Sequence, residues 1–220
     1  MLAWKRGDLL GAAQRLTFAF GIALVAGVLF AAIHGEPALA VACAGLAVFA
    51  IVGAFVDVFG RITSAGFAPS VLWRRALGLP LSAWGTTLAH AGLGVSLLGI
   101  AATGWGVERV MAMRAGDVSE LGPFTVQLQG VHQRPGPNYS ETVAIMTVSS
   151  GGVVLGTMNP SRKFYSARTM TTTDAGLMTI NLGQVHIVVP EQSPDGSIDV
   201  RMYWKPYVAL IWLGSLVMFI

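Results

Sequence analysis

Four histidines, one cysteine and a scatter of carboxylates are the groups in this sequence with the widest chemical reach. His90 stands apart from the rest: it is the one ionisable residue in the apolar run Trp84 to Trp105. An imidazole inside a helix that crosses hydrocarbon is costly unless it has a partner, so such a residue marks a functional position by default. Its neighbours Ala89, Ala91, Gly92 and Gly94 carry almost no side-chain bulk. A flat macrocycle could approach that face, and a neutral imidazole nitrogen is a good axial ligand for haem iron. A second reading stands beside this one: small residues also permit close helix packing, with His90 hydrogen-bonded to a backbone carbonyl or to Ser82. The residues alone leave both open. By position in the run, His90 lies roughly 7 Å to the cytoplasmic side of the midpoint, at 1.5 Å per residue.

The remaining candidates offer less. His34 sits at the far interface, and His132 and His186 fall in mixed sequence without metal-ligand spacing, so they read as surface or half-buried strand residues. A second axial ligand for a six-coordinate iron would have to come from another chain or from sequence beyond this one. Cys43 is alone, which excludes an internal disulfide, a CxxC redox pair and a cysteine zinc cluster. There is no GxGxxG, P-loop, HExxH or nucleophile-elbow spacing. The net charge of +3 gives no support for a nucleic-acid partner.

The elements that must position His90 are membrane helices. Of 220 residues, 54% are hydrophobic and 11% charged, against roughly 25% charged in an ordinary soluble domain. The runs 16–33 and 38–56 contain no charge and are each long enough to span a bilayer. They predict a hairpin whose link, His34-Gly35-Glu36-Pro37, breaks the helix. A third span is expected over 84–105, with indoles at both ends. A fourth starts at 206 and reaches only Ile220, which reads as a span cut short. Lys5, Arg6 and Arg15 before the first span, and Arg61, Arg74 and Arg75 between the second and third, place both segments in the cytoplasm. The first run is longer than a signal-peptide core and lacks a clear cleavage site, so it is read as a span. Residues 59–79 mix arginines with Phe67, Trp73 and other apolar groups; an interfacial helix and an ordinary loop both fit.

Residues 106–205 then face outwards, with eight basic and eight acidic side chains. The period changes to two in 124–128, 142–148 and 198–203, the pattern of half-buried strands. Ser149-Ser150-Gly151-Gly152 and Ser193-Pro194-Asp195-Gly196 supply turn chemistry. The expected architecture is an integral membrane α-helical protein with about four spans and an inserted all-β domain, a barrel or sandwich of six to eight strands.

Several motifs now line up in order: Leu88-Ala89-His90-Ala91-Gly92-Leu93-Gly94-Val95, Gly106-Val107-Glu108-Arg109, Gly136-Pro137-Asn138-Tyr139, Arg162-Lys163-Phe164-Tyr165 and Val200-Arg201-Met202-Tyr203-Trp204-Lys205-Pro206. Together they resemble the C-terminal part of the CcmF family of cytochrome c maturation proteins, the haem-handling group that includes NrfE and CcsA. Trp4-Lys5-Arg6-Gly7-Asp8 is similar to the segment that opens the last third of that family. The resemblance implies a component of the bacterial haem lyase in the inner membrane, with its β-domain in the periplasm. Its expected partners are the haem chaperone CcmE, CcmH, apocytochrome c, the N-terminal half of CcmF in the same or a separate chain, and membrane lipid. It also implies that His90 is an axial ligand of a b-type haem that keeps the substrate haem iron reduced. The family's tryptophan-rich segment, its outward-facing haem-ligand histidines and its other transmembrane ligand have no counterpart here, so this chain alone is not expected to complete thioether formation. Asn138, Tyr139, Arg162, Phe164 and Tyr165 are read first as residues that fix the fold, and second as contacts for CcmH or apocytochrome. The alternative function is a non-catalytic membrane scaffold whose β-domain docks partner proteins.

Overall fold

The computed structural model describes residues 9–34, 38–64, 66–190 and 196–219. The Trp4–Asp8 motif with Lys5 and Arg6, the link residues Gly35-Glu36-Pro37 and the turn residues Ser193-Pro194-Asp195 lie outside the described residues. Two compact units are formed, one from Met1–Trp105 with Tyr207–Ile220, the other from Gly106–Pro206.

In the first unit the described residues form helices α1 (Leu9–His34), α2 (Ala38–Thr63), α3 (Pro69–Gly78), α4 (Leu81–Ala102) and α5 (Ala209–Phe219). Three of these hold stretches long and apolar enough to cross a membrane: Leu16–Ile33, Ala38–Thr63 and Leu81–Trp105. Helix α2 packs between α1 and α4, and α4 packs on α5. Where lipid is the surrounding solvent, apolar side chains gain little by meeting each other, and small residues that let backbones approach take over the contact. Ala19 and Ala23 of α1 and Ala40, Ala44 and Ala47 of α2 are accordingly buried.

Helix α2 outruns the apolar stretch 38–56. Its extension carries Asp57 and Arg61 one turn apart, and the guanidinium Nε donates to the carboxylate at 3.0 Å. That pair neutralises the two charges within the helix, so the backbone continues to Thr63. The segment 59–79 is therefore neither one interfacial helix nor one loop: it is the end of α2, a turn through Gly66 at φ +119°, and the separate helix α3. Proline at the start of α3 lacks an N–H that would be unbonded there in any case. Arg75 ties α3 to the end of α2, donating to the Arg61 carbonyl at 3.1 Å and to Ser64 Oγ. Trp84 Nε1 donates to the Ala76 carbonyl at 3.2 Å and fixes the α3–α4 corner.

The second unit is a β-sandwich. One sheet has the order β1-β10-β9-β8, built from Val107–Met113, Ile198–Lys205, Gly183–Val188 and Gly176–Ile180. The other has the order β2-β3-β4-β6-β7, from Val118–Leu121, Phe124–Pro135, Ser140–Ser150, Ser161–Tyr165 and Met170–Asp174, with β5 (Val153–Met158) also paired to β4. The observed pairings are antiparallel. Period-two residues form the core: Phe124, Val126 and Leu128 against Ala144, Met146 and Val148 in one sheet, Val185 and Ile187 against Ile198, Val200 and Met202 in the other. Trp204 closes one end, edge-on to Phe124 with centroids 4.7 Å apart. Gly183 leaves room for that indole, since a Cβ there would stand 2.1 Å from Trp204 Cη2.

The described residues form ten strands rather than six to eight. The unforeseen ones include β1, where Met113 alone is buried, and β7, where nothing is. Each lies at the edge of its sheet and buries too little to show a period-two pattern.

Candidate functional site

Helix α4 begins at Leu81, three residues before the expected start, and ends at Ala102. His90 is thus its tenth residue of 22 and lies about 2 Å from the helix midpoint at 1.5 Å per residue, rather than 7 Å. The imidazole is exposed, and Nδ1 lies 2.7 Å from the backbone carbonyl oxygen of Thr86, one turn earlier. In the tautomer that donates from Nδ1, the lone pair belongs to Nε2, which has no hydrogen-bond partner among the described residues. A histidine whose second nitrogen is tied to a backbone carbonyl is the usual form of a metal-ligating imidazole, because that bond fixes both ring orientation and tautomer. The donor set on this helix fits one axial position of a haem.

Of the two purposes their size allowed, the small residues around His90 serve helix packing. Ala91, Gly92 and Gly94 are buried. A Cβ on Gly92 would stand 2.5 Å from the Gly214 carbonyl oxygen of α5, and one on Gly94 would stand 2.8 Å from the Ala47 carbonyl oxygen of α2. The space they leave is filled by neighbouring helices and is not open to a macrocycle. Ser96 adds a hydrogen bond across to α5, Oγ to the Ile211 carbonyl at 3.1 Å. The glycines pack and His90 Nδ1 meets a backbone carbonyl, both as the packing reading expected, while the ring lies on the face that also carries the exposed Leu93 and Ile100. Ser82 is not the histidine's partner; its carbonyl accepts from Thr86 Oγ1 at 2.8 Å.

The other histidines lie on other elements. His34 ends α1, and its side chain lies outside the described residues. His132 is exposed on β3, in the larger sheet. His186 is half-buried on β9, in the smaller sheet, and stacks on Tyr203 with centroids 5.5 Å apart. Burial, and then the nearby positive charge of Lys205, hold its pKa below the ordinary imidazole value.

A buried carboxylate that the sequence reading passed over organises the β3–β4 hairpin. Glu141 is 5% exposed. It accepts from Arg134 Nη2 at 2.7 Å and from Ser161 Oγ at 2.7 Å. Lys163, 4.0 Å from the same carboxylate, also pairs with Asp174 and lies over the Tyr139 ring at 5.2 Å. Tyr139 in turn meets Tyr165, with centroids 5.4 Å apart, and Gly136 donates to the Tyr139 carbonyl at 2.8 Å. Tyr139 and Tyr165 thus hold the hairpin against β6, whereas Asn138 and Phe164 are exposed. The available signal was the placement of Arg134 and Glu141 on either side of the Pro135–Ser140 turn, where they become a cross-strand pair.

The Ser161 hydroxyl, then Arg134, hold Glu141 below the usual carboxylate pKa. A depressed folded-state pKa contributes stability that is present above the unfolded value, near 4.5, and lost as pH falls through the folded one. Glu141→Gln is expected to cost about 1–3 kcal/mol at pH 7, since it weakens a charge-assisted network around a buried hydroxyl. The penalty should shrink on acidification through the range below pH 4.5. Thermal unfolding of both proteins across that range checks it: parallel curves would remove the carboxylate from this role.

Residues 104–206 match the family model described as the CcmF C-terminal beta-sandwich. Over 99% of its length the chain is 44% identical to the cytochrome c-type biogenesis protein CycK of Rhizobium meliloti (strain 1021), of which it covers 32%. It is 31% identical to the cytochrome c-type biogenesis protein CcmF of Pseudomonas aeruginosa, over 65% of this chain and 22% of that one. Among solved structures, the cytochrome c haem lyase CcmF superposes on 98% of this chain and 34% of its own, with a TM-score of 0.70 and 16% identity. The chain spans about a third of the length of the fullest of these matches.

Proposed function

Since this chain is a C-terminal CcmF-like part, we propose that it acts in cytochrome c biogenesis by holding a b-type haem within the bacterial inner membrane. The proposal rests above all on the exposed imidazole of His90, its Nδ1 bound to the Thr86 carbonyl at 2.7 Å, which leaves Nε2 available to ligate iron. Thr86 orients the ring, and the packing of α4 on α2 and α5 holds the helix that carries it. A haem held there by His90 would supply a one-electron centre.

In this reading a further protein ligand to the haem and the site of thioether formation would belong to an N-terminal CcmF-like half, in the same or a separate chain. The haem chaperone CcmE delivers haem, CcmH and apocytochrome c are the protein partners, and the β-sandwich faces the periplasm. Relatives named for cytochrome c-type biogenesis align along nearly the whole chain, which supports this assignment. The direct test is replacement of the matching segment of the Rhizobium meliloti relative by this chain. Restored covalent haem staining of c-type cytochromes is the expected result. A stably produced chimera that makes no holocytochrome would overturn the proposal, and one that still recruits the partner proteins would leave a docking scaffold in its place.

A further inference from the structure

The sandwich has two chemically different ends. At one end the chain enters β1 at Val107 and leaves β10 at Lys205, and Val107 faces Trp204 across the sheet. The β8–β9 turn, Asn181-Leu182, closes at this same end, because Gln184 pairs with Lys205. The β2–β3 turn joins it: a Cβ at Gly122 would meet Trp204 Cδ1 at 3.3 Å and Val107 Cγ2 at 3.6 Å. Ser150 Oγ donates to the Pro123 carbonyl at 2.9 Å and brings the β4–β5 turn, Gly151-Gly152, alongside. Three turns from two sheets therefore cluster where both covalent connections to the apolar helices emerge.

Those turns carry no charged residue, and the β4–β5 and β8–β9 tips end in bare apolar side chains. Val153 and Val154 are 65% and 63% exposed, Leu155 and Leu182 44% and 43%. A strand with one face on a core should alternate apolar and polar residues, yet β5 begins with three exposed apolar residues in a row. A bulge causes this: Val154 pairs with Ser149 and Gly156 with Val148, which leaves Leu155 unmatched. Gly151 and Gly152, at φ +57° and +82°, permit a two-residue turn narrow enough for the valines to lead. The charged residues near this end, Glu108, Glu120 and Lys205, lie on strands rather than at the tips. At the opposite end the β1–β2 turn holds Arg114 and Asp117, the β3–β4 turn is flanked by Arg134 and Glu141, and the β6–β7 connection holds Arg168.

We propose that the β4–β5 tip, Val153-Val154-Leu155, and Leu182 of the β8–β9 tip insert into the interfacial layer of the bilayer, so that lipid covers them. Water would leave these side chains unpartnered, whereas the end that bears them is continuous in sequence with Trp105 and Tyr207, the first residues of the helical unit on either side. Gly-Gly-Val-Val can enter the headgroup layer without desolvating a charge. The insertion is independent of haem ligation and stands or falls apart from it.

The test uses the whole chain with Cys43→Ala and a single new cysteine, Val154→Cys, Leu182→Cys or Asn138→Cys, labelled with an environment-sensitive fluorophore. Each protein is reconstituted in phosphatidylcholine–phosphatidylglycerol vesicles in which a share of the lipid is brominated near the top of the acyl chains. Labels at 154 and 182 should emit to the blue of the label at 138, be quenched by bromolipid and resist aqueous iodide, with the reverse at 138. Iodide quenching at 154 and 182 equal to that at 138 would overturn the proposal by leaving the tips in water. Blue-shifted emission that bromolipid does not quench would overturn it in favour of a covering protein.

Discussion

His90→Ala is expected to abolish the reduced-minus-oxidised b-type absorbance of the protein purified with its N-terminal counterpart, at unchanged expression. The loss should be complete rather than graded, because no second imidazole is placed to take over on α4. Folding should survive the change: the ring is exposed, its bond is to a carbonyl already within the helix ladder, and the contacts of α4 with α2 and α5 run through Gly92, Gly94 and Ser96. A His90→Gly variant supplied with imidazole should regain part of the band, which a purely structural role would not allow. A native-like spectrum from His90→Ala would strike the histidine from the ligand set.

The second large effect is expected at the α4–α5 contact. A Cβ built on Gly214 falls on the Gly92 carbonyl oxygen and on the amide nitrogen and hydroxyl of Ser96. Backbone atoms cannot turn aside as a flexible side chain would, so the helices must part. Gly214→Val should therefore cost at least about 1–3 kcal/mol, the range for overpacking a well-filled site. It should also break the Ser96–Ile211 hydrogen bond. Gly85, on α4, offers the comparison, since a Cβ there meets nothing within 4 Å. Gly85→Ala should gain about 0.5–1 kcal/mol from helix propensity. Unfolding temperatures in one detergent decide the matter, and a Gly214→Val protein as stable as the parent would mean that α5 does not sit on Gly92.

What could be read from the sequence follows from how strongly each environment constrains residue type. A bilayer demands uninterrupted apolar runs, so the cores of α1, α2 and α4 are plain from composition, and one imidazole among them is conspicuous. The tail of α2 is not plain, because apolar counting stops at Asp57 and does not register that Arg61 neutralises it. Strands that bury one face declare themselves by period two, as 124–128 and 198–202 do. The β1, β2 and β7 strands bury too little to show it. The fit of Gly92 and Gly94 against other helices stayed one of two readings, because a small residue looks the same whether it makes room for a ligand or for a neighbouring backbone. Glu141 was hidden because a carboxylate beside a turn ordinarily faces water, and only the arrival of Ser161 from another strand encloses it.

The pairing of β1 with β10 shortens the effective loop that α5 must close to reach α4. Ser96 and Ile211 touch although 115 residues separate them. Closing a flexible loop of that size costs on the order of 4 kcal/mol in chain entropy before any contact is made. Once Val107 has registered with Trp204, the two ends of the intervening chain are already side by side. From then on α5 behaves as if it followed α4 after a short turn, and its docking becomes a local event. The sandwich is thus a clasp that lowers the entropy cost of docking the last helix.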